Sequence, residues 1–478
     1  MCSNSLSITP AQLDKLRRLV PRIARGRRVA GVCLYGSRVA GYARPDSDLD
    51  VIVVLQNYPF GLKYIYSGNE GLDISALVVD KELLERDAVQ AHLGEFAVGR
   101  LLHIYEPVEN PDLFRRMEKI YKKRIIIEEI SDLIRSTNVL GTEIMFPLEF
   151  IMFDKIRRRS LLYPNAVYSY YKTYTGSFAR RNIESALDGY KNALAEIIED
   201  DEYLFAVKGN LLKVSENRVV TGSKGEVYLR LTKKLQEFSS YFVHTYAGRH
   251  AVHLALREAR AKLKRHYSMP RLPAFMTHPD TTFLKLPEGV LIPGVGSNEE
   301  KVGDEGRRDW LDVLARSAGF TRYTITKHRL GNINSRTSLV TLTDKESGKL
   351  KQIVVKELAM SKSVKWAALS IWTSPVKKFR VNPLFRLGSE YKALRYIRSL
   401  GLHSPFVECV ILDKRLLVTE FIEGETVADV IRRQCKNMTK DDDAIMMAGK
   451  QIALIHSTGS SFGNIKPKNI IVKASQLY

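Results

Sequence analysis

Cysteine is scarce in this chain. Its 478 residues include four, Cys2, Cys33, Cys409 and Cys435, and none stands in a C-x-x-C spacing. That scatter offers neither a zinc cluster nor a disulfide framework, and it fits a reducing compartment. Long apolar runs are missing as well. Charges break each apolar stretch well short of the roughly 20 residues that a membrane span needs, so no transmembrane helix and no membrane partner are expected. The opening segment "MCSNSLSITPAQLDKLRRLVPRIARGRR" lacks the uninterrupted apolar core of a signal peptide, and a cytoplasmic protein is expected. Acidic residues are outnumbered, 53 against 74 basic ones, which leaves a net charge of +21. Internal repeats and low-complexity segments are absent too.

What is present suits a multidomain protein with two to four domains, each long enough to bury a core. Basic clusters recur ("RRLVPRIARGRR", "KKR", "KIRRR", "REARAKLKRH", "PVKKFR") and suggest an anionic partner such as RNA or nucleotides. Charge of this kind gives affinity for phosphate, not specificity. The opening segment reads as a capped amphipathic helix, with Thr9 as N-cap, Pro10 in the first turn, Gln12 closing a capping box, and Leu13, Leu16, Val20 and Ile23 on one face. Residues 1–107 then alternate strand and helix signals, with strands at Gly31 to Tyr35, Leu49 to Leu55 and Leu72 to Val79, and a helix from about Lys81. The pattern over 108–268 is helical and rich in basic residues and tyrosine. Residues 269–319 are dense in proline and glycine and read as a connection, and 320–478 read as strands, a helix, strands and helices.

Within "CLYGSRVAGYARPDSDLDVIVVL", Asp48 and Asp50 stand two residues apart at the start of an apolar strand. Side chains at i and i+2 share a face, so both carboxylates project together while Leu49, Val51 and Val53 lean to the core. Two such groups repel unless a cation lies between them. Magnesium, or manganese in its place, takes oxygen ligands shared between carboxylates and triphosphate oxygens. Upstream, the Gly36-Ser37 turn offers backbone N–H groups and a hydroxyl for phosphates. Downstream, Asp73 in "GLDISALVV" can bring a third carboxylate to the same edge and accept the proton of an attacking hydroxyl.

Gly36, Ser37, Asp48, Asp50 and Asp73 together resemble the signature of the DNA polymerase β nucleotidyltransferase superfamily, especially its minimal members. The resemblance implies an α/β nucleotidyltransferase fold over 1–107. It also implies transfer of a nucleoside monophosphate from a nucleoside triphosphate to a hydroxyl, with two magnesium ions and pyrophosphate as leaving group. Minimal members often carry arginine at the position of Ala40, whereas here only Arg38 and Arg44 are near, so a phosphate contact is either shifted, with Arg38 as its candidate, or missing.

A second constellation lies further on. "LKQIVVKEL" puts Lys356 in an apolar strand, where burial is costly unless an acid or phosphate meets it, and "SEYKALRYIRSLG" puts Glu390 on a following helix. With "RLLVTEFIEGET" and "HSTGSSFGNIKPKN" they resemble, in order, the strand lysine, helix glutamate, hinge and catalytic loop of small atypical and RIO-like protein kinases. The departures are chemical. Asn464 stands where the catalytic aspartate belongs and cannot take up a proton. Asn469 matches the metal-binding asparagine, with Lys466 between them, but no Asp-Phe-Gly metal ligand follows, and "HRLGNINSRTS" offers only Gly331 as a glycine-rich loop. An incomplete α+β kinase-like domain over 320–478, a truncated product or an ATP-binding pseudokinase, is expected.

Two weaker signals remain. Tyr163, Tyr168, Tyr170, Tyr171, Tyr174 and Phe178, interleaved with Lys172, Arg180 and Arg181, read as a helix interface in preference to a base-stacking surface. His250 and His253 have helical spacing but lack a third ligand, and packing is the expected role. The sequence thus points to a nucleotidyltransferase followed by a helical domain that shapes the acceptor site and by an inactive kinase-like module. The acceptor is RNA, a protein hydroxyl or a small molecule, with the basic charge leaning to RNA. The alternatives are a non-catalytic RNA- or protein-binding scaffold, and a kinase completed by a second chain.

Overall fold

The computed structural model describes residues 8–45, 47–69, 72–163, 166–200, 205–208, 210–215, 272–292, 310–330, 336–358, 382–437, 443–460, 466–474 and 476–478. The chain divides into two compact units, residues 1–132 with 146–283, and residues 133–145 with 284–478.

The first unit begins with helix α1, Pro10–Ala24, capped as its sequence indicates: the Thr9 hydroxyl accepts from Gln12 N–H, and the Gln12 side chain accepts from Thr9 N–H. A five-stranded sheet follows in the order β3-β4-β2-β1-β5, with β1 Val29–Tyr35, β2 Leu49–Leu55, β3 Leu62–Asn69, β4 Leu72–Asp80 and β5 Glu106–Glu109. Only β2 and β4 run parallel; the other pairs are antiparallel. The strand β3 was not expected from the sequence, because "LKYIYSGN" ends in glycine and polar residues that read as a turn.

The β-branched run of β2 puts it at the centre, where Val51 to Leu55 are fully buried. On one face Val32, Leu34, Leu49, Val51, Val53, Ala76 and Val78 pack with Leu16, Val20 and Ile23 of α1. The opposite face carries Tyr35, Asp50, Ser75 and Tyr66, which the strand registers place in one row. Helix α3, Lys81–Gln90, packs on β2 and β4. Helices α4 Pro111–Thr137, α5 Leu148–Leu162, α6 Val167–Thr175 and α7 Ala179–Asp200 follow. Of the aromatics in this stretch Tyr163, Tyr170 and Tyr174 are buried, as the helix-interface reading expects, whereas Tyr168 and Tyr171 are half-buried and Phe178 is exposed.

Two buried carboxylates fix the segment between α3 and β5. Asp87 accepts backbone N–H groups from Leu93 and Glu95 on one oxygen, at 2.8 and 3.0 Å, and from Ala97 and Val98 on the other, at 3.1 and 3.0 Å. Glu95, with 4% of its surface exposed, receives Lys155 Nζ at 2.8 Å, Arg159 Nη1 at 2.9 Å and the Tyr121 hydroxyl at 3.0 Å, with Arg124 Nη2 also 3.0 Å away. Burial alone raises its pKa, but Lys155, Arg124 and Arg159 overcome that and hold the carboxyl well below its usual range.

The second unit holds a six-stranded sheet in the order Tyr323–Leu330, Thr337–Asp344, Leu350–Glu357, Leu416–Glu420, Val407–Ile411 and Val290–Ile292. All pairs are antiparallel except the last, in which Val290–Ile292 runs parallel to Val407–Ile411. This strand belongs to the segment that reads in sequence as a Pro/Gly-rich connection. Helix Pro383–Ser399 is capped by Asn382. It passes so close to the turn at 138–142 that a Cβ on Gly388 would lie 2.4 Å from Leu140 N. Beyond the sheet, helices Val427–Asn437 and Asp443–Ser457 pack with a small sheet of Glu425–Thr426, Ile471–Lys473 and Gln476–Leu477. No helix among the described residues is long and apolar enough to cross a membrane.

Replacing Glu95 by glutamine leaves two buried cations and the half-buried Arg124 around a neutral group. Glu95→Gln is therefore expected to lower stability by about 3–5 kcal/mol, read from urea unfolding at neutral pH. Since folding depresses the Glu95 pKa, its contribution is in place above about pH 4.3 and declines as acid protonates the folded carboxyl. An unchanged urea midpoint in Glu95→Gln would show that the hub carries no stability.

Candidate active site

The acid face is organised by the turn that leaves β1. Gly36 has φ 79° and ψ −157°, a combination open almost only to glycine. A Cβ placed on it would lie 2.0 Å from Asp50 Oδ2, so the Asp50 carboxylate sits directly against the turn backbone. One helical turn follows, α2, Ser37–Ala40. Asp48 lies one residue before β2 and Asp50 on it, on the same face, and both are half-buried.

Asp50 pairs with Ser75 across the parallel β2–β4 ladder and Leu49 with Ile74. The same register carried one step back sets Asp73 beside Asp48 and on its face, with Asp73 exposed at the start of β4. Among the described residues, however, no three acidic, histidine or cysteine side chains close into a ready metal cluster. The donor set still fits magnesium, which is commonly held by one or two carboxylates with phosphate oxygens and water filling the rest.

Arg38 is 9% exposed and donates from Nε to the Asp48 carbonyl at 3.3 Å and from Nη2 to the Ser47 carbonyl. It holds the chain that carries Asp48. The α2 turn is clamped in its turn by the start of α7. Arg181 Nη2 donates to the Val39 carbonyl at 2.7 Å, and buried Asn182 donates through Nδ2 to the carbonyls of Ala40 and Thr173 at 3.0 and 2.9 Å. Phe178 lies across Gly41, where a Cβ would come within 2.5 Å of its ring. Ala40 is itself 4% exposed, which leaves no room for an arginine at that position.

Around Asp50 an aromatic and cationic group spans the face from Tyr64 on β3 to Tyr35 on β1. Arg100 donates through Nη2 to the Tyr64 hydroxyl at 2.9 Å, and its guanidinium lies 5.8 Å from the Tyr35 ring centre. Tyr35 titrates well above its usual range, through burial, then Tyr64, then the charge of Asp50; Tyr42 is raised by burial, with Asp50 adding to it.

Sequence reasoning did not find Arg100, Tyr64, Tyr66, Arg181 or Asn182 as parts of this face. The alternation Tyr64-x-Tyr66 was a usable signal for two of them. No local pattern could have joined Asn182 to Ala40, 142 positions away.

The second unit brings Lys356 and Glu390 into an ion pair between strand Leu350–Glu357 and helix Pro383–Ser399, with side chains 40% and 30% exposed. Lys466 and Asn469 are exposed around a short turn, Pro467–Asn469. Asn464, Gly331, His250 and His253 lie outside the described residues.

Residues 13–134 match the model of the nucleotidyltransferase domain family. The match covers the acid face and supports nucleotidyl transfer as the general activity of this region. A solved structure similar to the chain is a nucleotidyltransferase-like protein from Exiguobacterium sibiricum 255-15, at 11% identity over 70% of this chain and 99% of that one. The superposition has a TM-score of 0.20 and carries no argument. No curated protein matches the chain.

Gly36→Ala is expected to leave the fold intact at a cost of about 1–3 kcal/mol for the strained backbone. Displacing Asp50 should lower nucleotidyl transfer about 10²-fold. Thermal unfolding beside a transfer assay checks both, and a fully active Gly36→Ala would show that the close approach does not matter.

Proposed function

We propose that the first unit is a metal-dependent nucleotidyltransferase that moves a nucleoside monophosphate from a nucleoside triphosphate to a hydroxyl acceptor, with polynucleotide favoured by the +21 charge. The observation that carries this reading is Asp50 seated against the Gly36 turn, with Asp48 on the same face. Gly36 and Ser37 hold the triphosphate by backbone N–H groups and hydroxyl. Asp48 and Asp50 hold Mg2+, which when bound supplies neutralisation of charge building on the α-phosphate and leaving group. Asp73 accepts the proton of the acceptor hydroxyl. The acceptor's hydroxyl oxygen bonds to the α-phosphorus as the bond to the bridging oxygen breaks, and pyrophosphate departs. Arg38 acts at one remove, by fixing the chain that carries Asp48.

The Lys356–Glu390 pair favours a further reading for residues 320–478, that of a kinase-like nucleotide-binding module without phosphoryl transfer of its own. Lysine held by a helix glutamate presents its ammonium to phosphate oxygens. Asn464, where the resembled family has an acid, cannot itself take up the substrate proton.

Label transfer from each α-labelled nucleoside triphosphate to cell RNA, cell protein and the chain itself tests the main reading. Asp48→Asn/Asp50→Asn should lose about 10³-fold or more, the scale of removing a principal electrostatic stabiliser. Transfer that survives the double substitution, or none in the wild-type chain with any acceptor, would sink the reading and favour a scaffold. In the same double variant, residual ATP binding should weaken about tenfold on adding Lys356→Met, the size of one charge-assisted hydrogen bond. Equal binding would remove nucleotide from the account of the second unit.

A further inference from the structure

We propose that Tyr66, backed by Tyr64, is the stacking platform for the 3′-terminal base of a single-stranded polynucleotide acceptor. This rests on the nucleotidyltransferase reading of the same face. The register gives the direction. Asp50 pairs with Ser75, and Ser75 with Tyr66, so the three side chains lie in a row across β2, β4 and β3. At about 4.8 Å per strand, Tyr66 stands roughly 10 Å from Asp50 along the sheet. The Gly36-Ser37 turn lies on the opposite side of Asp50, next to β1. Phosphoryl displacement sets attacking and leaving oxygens roughly in line. With the triphosphate on the β1 side, the acceptor hydroxyl enters over β4 and β3, past Asp73 and onto Tyr66.

The two tyrosines are built unequally, as a platform requires. Tyr64 is held from three sides: its hydroxyl receives Arg100 Nη2 at 2.9 Å, Phe96 meets it edge-on at 6.0 Å, and Tyr66 stacks on it at 5.9 Å with 15° between planes. Tyr66 is 47% exposed on this fixed support. Tyr64 is half-buried among these contacts, whereas Tyr66 keeps nearly half of its surface in water on the acid face. Base–aromatic stacking accepts any base, and the excess of positive charge suits a phosphate backbone more than a protein chain.

The test uses the full chain and a single-stranded oligoribonucleotide with 2-aminopurine at its 3′ end or at an internal position. Stacking should quench the terminal fluorophore in the wild type and in Tyr66→Phe, which keeps the ring, but not in Tyr66→Ala. The internal fluorophore should respond alike in all three. Loss of one stacked base should raise the RNA Kd about tenfold in Tyr66→Ala. In transfer assays the KM for RNA should rise with it, while the KM for nucleoside triphosphate stays. Equal terminal quenching in Tyr66→Ala, absence of RNA binding, or transfer to a protein or small molecule untouched by Tyr66→Ala would each overturn the platform. The fluorescence readout needs no catalysis. Ring-dependent quenching without any transfer would uphold the platform and sink the enzyme reading, and RNA transfer indifferent to Tyr66→Ala would do the reverse.

Discussion

A single carboxylate with three cations around it sets the shape of the first unit. Glu95 lies on a short segment between α3 and β5, in left-handed backbone with φ 63°, and is nearly sealed from water. A lone buried carboxylate would take up a proton to avoid the desolvation cost. Lys155 and Arg159 from α5, with Arg124 from α4, make the ionised form the stable one and so bind the segment to both helices. The consequence runs on to the acid face. Arg159 presses against Gly99, where a Cβ would come within 2.3 Å of its guanidinium. The next residue, Arg100, is thereby presented to Tyr64 and Tyr35. Asp87 fixes the same segment from its other side by satisfying four backbone N–H groups with two oxygens.

The acid face is built against local preference. The centre of a buried sheet favours apolar side chains, and two carboxylates two residues apart repel one another. The chain nonetheless gives up a side chain at Gly36, and accepts strained backbone there, to let Asp50 approach the turn. Buried Arg38 and Asn182, with half-buried Arg181, are all turned to backbone carbonyls around it. Groups spent on holding main chain in place mark a geometry that has to be rigid, which is what catalysis by positioning demands.

Much of this face could be read from residue order. The capping box at Thr9 and Gln12 involves residues three apart, and the run Leu49–Leu55 announces a central strand by its branched side chains, so both appear in the structure as in the sequence. The pair Asp48 and Asp50 shares a face because strands have a period of two. What could not be read depends on contacts between distant positions. Asn182 reaching Ala40 and Arg100 reaching Tyr64 arise only once α7 and the segment after α3 have folded onto the sheet. Strand β3 was missed for another reason, since its glycine and polar end mimics a turn while its partner β4 supplies the hydrogen bonds that keep it extended.

The second unit poses the opposite case, a charge pair with little to do for stability. Lys356 and Glu390 keep 40% and 30% of their side chains exposed, and ion pairs in such surroundings contribute about 0–1 kcal/mol. Their meeting needs a lysine in the middle of a sheet and a glutamate on a helix 34 positions later, and that helix is seated by Gly388 closing on Leu140 and by Arg395 gripping buried Glu143. A device costing so much alignment for so little stability makes sense when the ammonium is aimed at something that binds beside it. Lysine can meet a phosphate as a point charge. The half-exposed setting of the pair therefore speaks for a role in binding an anion more than for one in stability.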